Sequence, residues 1–273
     1  MALEKNPLVY KASAPWIILV GGGHFAGKKC FSEKVMMKLL EPHAASSTPR
    51  LPLNIEIIDI QDYEDRSIKN SVALSKVYRE DDLQSTHYKP TRFDFEKLKA
   101  DIKNYPMPTE ESTVKYMGRD IVPPTILFVQ GLYALYDPEL RDMASMRIFI
   151  DLDGDVRLGR WILQDAGEDK EIFTAILNEY VNHCRPEMDH FIQRTQEHAD
   201  IILPGGNEPS SIKLVTTGVY DKVHKDVVSE IRSAFPNQEV ESTPVLRSLH
   251  KQELPAYLSL DTTIPEELYY DVN

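Results

Sequence analysis

Five short apolar runs recur along the chain, spaced widely enough for a helix between most neighbours. They are WIILV (16–20), NIEIIDI (54–60), TILFVQG (125–131), MRIFIDL (146–152) and ADIILP (199–204). Short runs rich in Ile, Val and Phe read as strands covered on both faces, where no polar alternation is needed. Between them, CFSEKVMMKLL (30–40) sets Phe31, Val35, Met36 and Leu39 on one helical face. FDFEKLKADIKN (93–104) and DVRLGRWILQD (155–165) also read as helices, and the Pro and Ser content of EPHAASSTPRLP (41–52) reads as a loop. Strands alternating with helices predict an α/β fold, a mostly parallel sheet with helices on both faces. Residues 1–14 are a polar lead, 15–235 hold the periodic pattern, and 236–273 change character. That last stretch scatters its apolar residues among prolines and predicts an extended or partly disordered tail. A sharper reading makes it a docking segment for a protein partner through Tyr257, Leu258, Tyr269 and Tyr270.

Composition narrows the classes. A chain of 273 residues with 42% apolar content fills one large domain plus appendages. Its formal charge of −12 disfavours a general nucleic-acid binder, which must neutralise phosphates with Lys and Arg. A small anion remains compatible, because a local pocket can be positive on an acidic protein. Cys30 and Cys184 could form one bridge, but their context suggests no disulfide framework, and both are expected in buried apolar roles. No apolar run approaches the length of a membrane span, and no leader pattern is recognised at the start of the sequence. These features predict a reducing intracellular compartment, the cytosol before the nucleus.

The candidate chemistry lies in GGGHFAGKKC (21–30). A phosphate loop has the spacing G-x-x-x-x-G-K-[ST] between a strand and a helix. Gly22, Gly27 and Lys28 fit it, with Gly23, His24, Phe25 and Ala26 inside the loop. Glycines let backbone N–H groups turn toward phosphate oxygens, and the following helix adds its positive end. Lys28 is placed to reach the phosphates. The last position departs from the pattern, since Lys29 stands where a hydroxyl would bind Mg²⁺ and Cys30 falls out of register. At ~4 Å and an effective dielectric near 20, like unit charges cost about 4 kcal/mol, and a divalent ion roughly twice that. Lys29 therefore either swings into solvent or sits on the phosphates in place of the ion. No histidine pair has zinc-ligand spacing, so no protein metal site is assigned.

Beyond the loop, the chain resembles the uridine–cytidine kinase family of P-loop kinases over about residues 15–220. The similarity is carried by ILFVQGLYALYDPELRDMASMRIFIDLDGDVRLGRWILQD (126–165), by YVNHCRPEMDHFIQRTQEHADIILPGG (180–206) and by DIQDYEDR (59–66). The resemblance implies a P-loop kinase fold with a small lid. It also implies ATP as phosphoryl donor and the 5′-hydroxyl of uridine or cytidine as acceptor. Asp62 falls on the family's catalytic aspartate, which orients the attacking hydroxyl and accepts its proton. Arg157 and Arg160 match lid arginines, while Tyr88 and Tyr116 fall on substrate-side positions. A homo-oligomer is also compatible with the resemblance.

Four departures accompany it. Lys29 replaces the hydroxyl, and Gln130 replaces a strand-end glutamate that helps order hydrated Mg²⁺. Tyr88 stands at the ribose-binding aspartate, and Trp161, Gln164 and GEDKE (167–171) stand where further arginines are expected. Losing lid arginines should slow transfer, since one arginine finger is worth about 10³ to 10⁵ in rate. Two readings stay open. One is a nucleoside kinase of reduced or altered activity. The other is a degenerate homologue that keeps nucleotide binding and acts through protein contacts.

Overall fold

A computed structural model describes residues 11–41, 50–65, 88–205 and 207–234. The expected tail at 236–273 lies outside the described residues, as do most of the N-terminal lead and of the loop at 41–52. Seven strands occur among the described residues: β1 (Trp16–Gly22), β2 (Asn54–Asp59), β3 (Val114–Tyr116), β4 (Arg119–Ile121), β5 (Thr125–Gln130), β6 (Met146–Asp151) and β7 (Ile201–Pro204). Five of them form one parallel sheet in the order β2-β5-β1-β6-β7. The apolar runs of the sequence therefore mark all five sheet strands. In the β2–β5 ladder Asp59 pairs with Gln130, so two polar side chains finish adjacent strands side by side.

Among the described residues the longer helices are α1 (Lys28–Leu40), α2 (Phe95–Lys103), α3 (Pro138–Met143), α4 (Gly154–Trp161), α5 (Lys170–Glu179) and α6 (Pro209–Ala234). Aspartates start three of them: Asp94, Asp137 and Asp169 each accept a hydrogen bond from a first-turn N–H. Alternation along β1 divides the core between the faces of the sheet. Ile17 and Leu19 join Leu98 and Ile102 of α2, Met188 and Ile192 in one cluster. On the opposite face α1 and α6 pack together. Ile212, Val215, Val219, Val223, Val227 and Ile231 line the buried stripe of α6 at helical spacing. In α1 the buried face is Phe31, Ser32, Val35 and Leu39, so Ser32 takes the inner place expected for Met36, which is half-buried.

Helix α5 continues as π turns over Tyr180–Cys184 and Met188–Ile192, separated by a turn at Arg185–Glu187. Outside the sheet, β3 and β4 form a hairpin whose turn residues Met117 and Gly118 both have positive φ, the geometry that matches strand twist. Cys184 is buried as expected, but Cys30 is exposed on the first turn of α1. The helix presents its inner face at Phe31, and Cys30 is turned outward.

Candidate active site

The loop from Gly22 to Gly27 is held open by its glycines. Gly27 is left-handed (φ 90°) and caps α1, and a Cβ there would stand 2.5 Å from Asn207 Nδ2. A Cβ on Gly23 would stand 2.7 Å from Arg157 Nη1. Phe25 also has positive φ, 54°, unusual for a side chain with a Cβ. Its ring stacks on Trp161 at 4.9 Å and 17°, which helps to hold that backbone conformation. Gly27→Ala is expected to destabilise the fold by about 1–2 kcal/mol, through left-handed strain and the Asn207 contact, and to weaken phosphate binding in parallel. Thermal denaturation beside a nucleotide titration reads both effects.

A cavity of about 370 Å³ opens beside the loop. His24, Phe25, Lys28 and Lys29 wall one side, and Asp59 and Gln130 close it at the ends of β2 and β5. Lys28 folds back and donates from Nζ to the carbonyls of Gly22 (3.1 Å) and Gly23 (2.7 Å). Burial pulls its pKa from 10.5 down to about 8, opposed by the Asp59 carboxylate and deepened by Arg157.

Helix α4 lies across the loop. Arg160 Nη1 donates to the carbonyls of Phe25 (3.4 Å) and Ala26 (3.2 Å). Arg157 is buried, donates from Nε to Leu152 O at 2.9 Å, and leaves Nη1 without a hydrogen-bond partner beside Gly23. A buried cationic donor next to the loop backbone is suited to an anion.

Beneath the loop lies a polar cluster that the sequence reading missed, apart from His24. Glu187, with no exposed side-chain surface, sits 2.6 Å from His24 Nε2 and 3.3 Å from Arg92 Nη2. It also accepts from the Tyr133 hydroxyl at 2.5 Å. Burial pushes the Glu187 carboxyl up, but His24, Arg92 and Tyr133 outweigh it and leave the group below the usual range. His24 moves down as well, because burial outweighs the attraction of Glu187. The contact is thus a hydrogen bond from a neutral imidazole to an ionised carboxylate. Glu187 was legible only as an acid between two apolar positions, Cys184 and Met188.

Glu179 stands nearby with Oε2 unpartnered, and burial followed by the charge of Glu187 pushes its carboxyl up to about 7. A raised acid contributes stability that is present below its unfolded pKa near 4.5 and is lost as pH rises through about 7. Glu179→Gln should therefore raise Tm at pH 8 and leave it nearly unchanged at pH 5.

The remaining predicted residues fall in several places. Gly22 through Lys28 build the loop, Lys29 reaches the cavity rim while exposed, and Cys30 is not part of the lining. Arg157 and Arg160 do meet the loop. Asp62 is exposed on the turn Ile60–Tyr63 and does not line the cavity, whereas Asp59 at the strand end does. Tyr88 stacks on His183 at 4.7 Å, outside the lining. Tyr116, expected on the substrate side, is instead buried in the hairpin, with its hydroxyl 2.8 Å from His224 Nε2 of α6. The hairpin has only three residues in each strand, and its buried Tyr116 ring packs on α6 through His224.

The sequence profile described as "Phosphoribulokinase / Uridine kinase family" matches residues 17–210, from the first strand to the start of α6. The chain belongs to this family. Among curated relatives, "Uridine kinase" of Staphylococcus aureus (strain JH9) is 30% identical over 224 residues, covering 78% of this chain and 99% of that protein. "Uridine kinase" of Staphylococcus epidermidis (strain ATCC 12228 / FDA PCI 1200) is 28% identical over 219 residues, 77% of this chain and 97% of that one. "Uridine kinase-like protein 3" of Arabidopsis thaliana is 29% identical over 249 residues, 86% of this chain. The match spans about half the Arabidopsis protein, 49% of its length. Family membership implies ATP binding, and the glycine loop with Lys28 and the unpartnered Arg157 Nη1 fits a polyphosphate.

Proposed function

We propose that the chain binds ATP at the loop and transfers its γ-phosphoryl group to the 5′-hydroxyl of a pyrimidine nucleoside, at a turnover well below that of an arginine-rich relative. The observation that carries this reading is the cavity where Lys28 and Lys29 face Asp59 and Gln130 across the carboxyl ends of the sheet strands. Ligands of open α/β sheets bind at that end. On binding, Lys28 would exchange two backbone carbonyls for phosphate oxygens. Arg157 would give its free Nη1 to the same anion. Asp62, exposed on its turn, is the carboxylate to which an acceptor hydroxyl has access from solvent.

The reduced rate follows from where the cations are spent. Arg160 donates to loop carbonyls, and Trp161 and Gln164 bring no charge to the lid. Phosphoryl transfer depends on positive charge around the equatorial oxygens. The engaged Arg160 also supports a second reading, a homologue that binds nucleotide without transferring it. A transfer assay with uridine, cytidine and other ribosides separates the two. Slow transfer to a pyrimidine riboside is the expected result. Turnover at the level of the bacterial relatives refutes the impairment, and ATP binding with no transfer to any riboside establishes the second reading.

A further inference from the structure

We propose that Asp59 supplies the metal-side carboxylate of this cavity, taking over the negative charge that position 130 lacks. The inference rests on the reading of the cavity as a nucleotide site. Gln130 alone would leave this wall neutral, and Lys29 brings a cation where a hydroxyl ligand would stand. The charge has not vanished; it sits one strand away. Asp59 and Gln130 are register partners in the parallel β2–β5 ladder, so both side chains leave the sheet at the same level. Neighbouring strands are about 4.8 Å apart, well within the reach of a hydrated cation.

The local contacts support a paired role. Gln130 Nε2 donates to Asp59 Oδ2 at 3.1 Å, and Gln61 N donates to Asp59 Oδ1 at 2.9 Å. Each carboxylate oxygen keeps a further lone pair. With its nitrogen on Asp59, Gln130 has its Oε1 buried and without a partner, on a side chain 2% exposed that lines the cavity. A buried, unsatisfied acceptor beside a fixed carboxylate is a hard-oxygen pair in search of a cation. The Asp59 carboxylate is also the main charge opposing the effect of burial on Lys28, which places its field inside the phosphate cavity.

Mg²⁺ takes one or two carboxylates together with phosphate oxygens and water. One carboxylate and one amide oxygen satisfy the protein share. Lys29 does not block this arrangement, since it is exposed at the rim and can turn to solvent. Asp62 takes no part in this arrangement, since it is exposed on its turn and outside the cavity lining.

The test measures binding of a non-hydrolysable ATP analogue to the full chain with Mg²⁺ and with EDTA. Wild type should bind at least about tenfold tighter with Mg²⁺, within the usual range of coupling between two ligands. Asp59→Asn should reduce that gain to less than about twofold while leaving affinity in EDTA equal or tighter, because it removes a like charge facing the phosphates. Adding Gln130→Glu to Asp59→Asn should bring the Mg²⁺ gain back. The inference is overturned if wild type shows no Mg²⁺ gain, if Asp59→Asn keeps it, or if the double variant fails to regain it. Wild type that binds no nucleotide in either condition overturns the nucleotide reading, and this inference with it.

Discussion

Lys28→Met is expected to weaken binding of nucleoside triphosphates at least about a hundredfold. Two hydrogen bonds from an ammonium to phosphate contribute roughly 3 kcal/mol or more, and 1.4 kcal/mol is tenfold. The same lysine gives the wild type a pH signature. Its pKa lies at about 8 in the free protein because burial disfavours the charge. A bound polyanion favours the ammonium and raises that pKa, so binding takes up a proton above pH 8. Affinity should be flat below pH 8 and fall by up to about tenfold per pH unit above it. Stability of the unliganded protein runs the other way. A base with a depressed pKa contributes stability that is complete above its unfolded value of 10.5 and is lost as pH falls through about 8. Affinity and Tm, measured from pH 7 to 10, should therefore move in opposite directions, and both trends should vanish in Lys28→Met.

The largest effect on stability is expected at Glu187. Glu187→Ala removes the acceptor of His24, Tyr133 and Arg92 in one step. Breaking a buried ion pair at one end costs about 3–5 kcal/mol, because the remaining charge stays buried. Arg92 is that charge, 8% exposed and otherwise 3.7 Å from Glu64. For a domain of this size the loss corresponds to a Tm lower by roughly 10 °C. His24→Ala should cost only about 1 kcal/mol, because it removes one hydrogen bond from a neutral ring. Denaturant unfolding of the two variants checks the ranking, and a Glu187→Ala protein within 1 kcal/mol of wild type would contradict it.

These expectations separate what the sequence discloses from what it hides. The sheet strands are legible because burial on both faces leaves unbroken runs of Ile, Val and Phe, as in TILFVQ (125–130). The phosphate loop is legible because Gly22, Gly27 and Lys28 are fixed by spacing to each other. Helix α6 was there to be read, since Val215, Val219, Val223 and Val227 recur every fourth residue, yet its β-branched stripe is weak in helix propensity. The cluster under the loop is different in kind. His24, Arg92, Tyr133 and Glu187 are far apart in sequence and meet only through the fold. The placement of Asp59 is hidden for a similar reason. Only the register of β2 on β5 shows that it stands beside Gln130 and lines the cavity, while Asp62 faces outward. Tyr116 misleads because a short hairpin can turn an expected contact residue into a core residue.

Equilibrium dialysis of the 273-residue chain against labelled ATP at pH 7, in parallel with Lys28→Met, tests the central claim most directly. Saturable binding at one site per chain, lost in the variant, is the predicted result. Wild type that retains no ATP with or without Mg²⁺, or a variant that binds as well as wild type, would contradict the account.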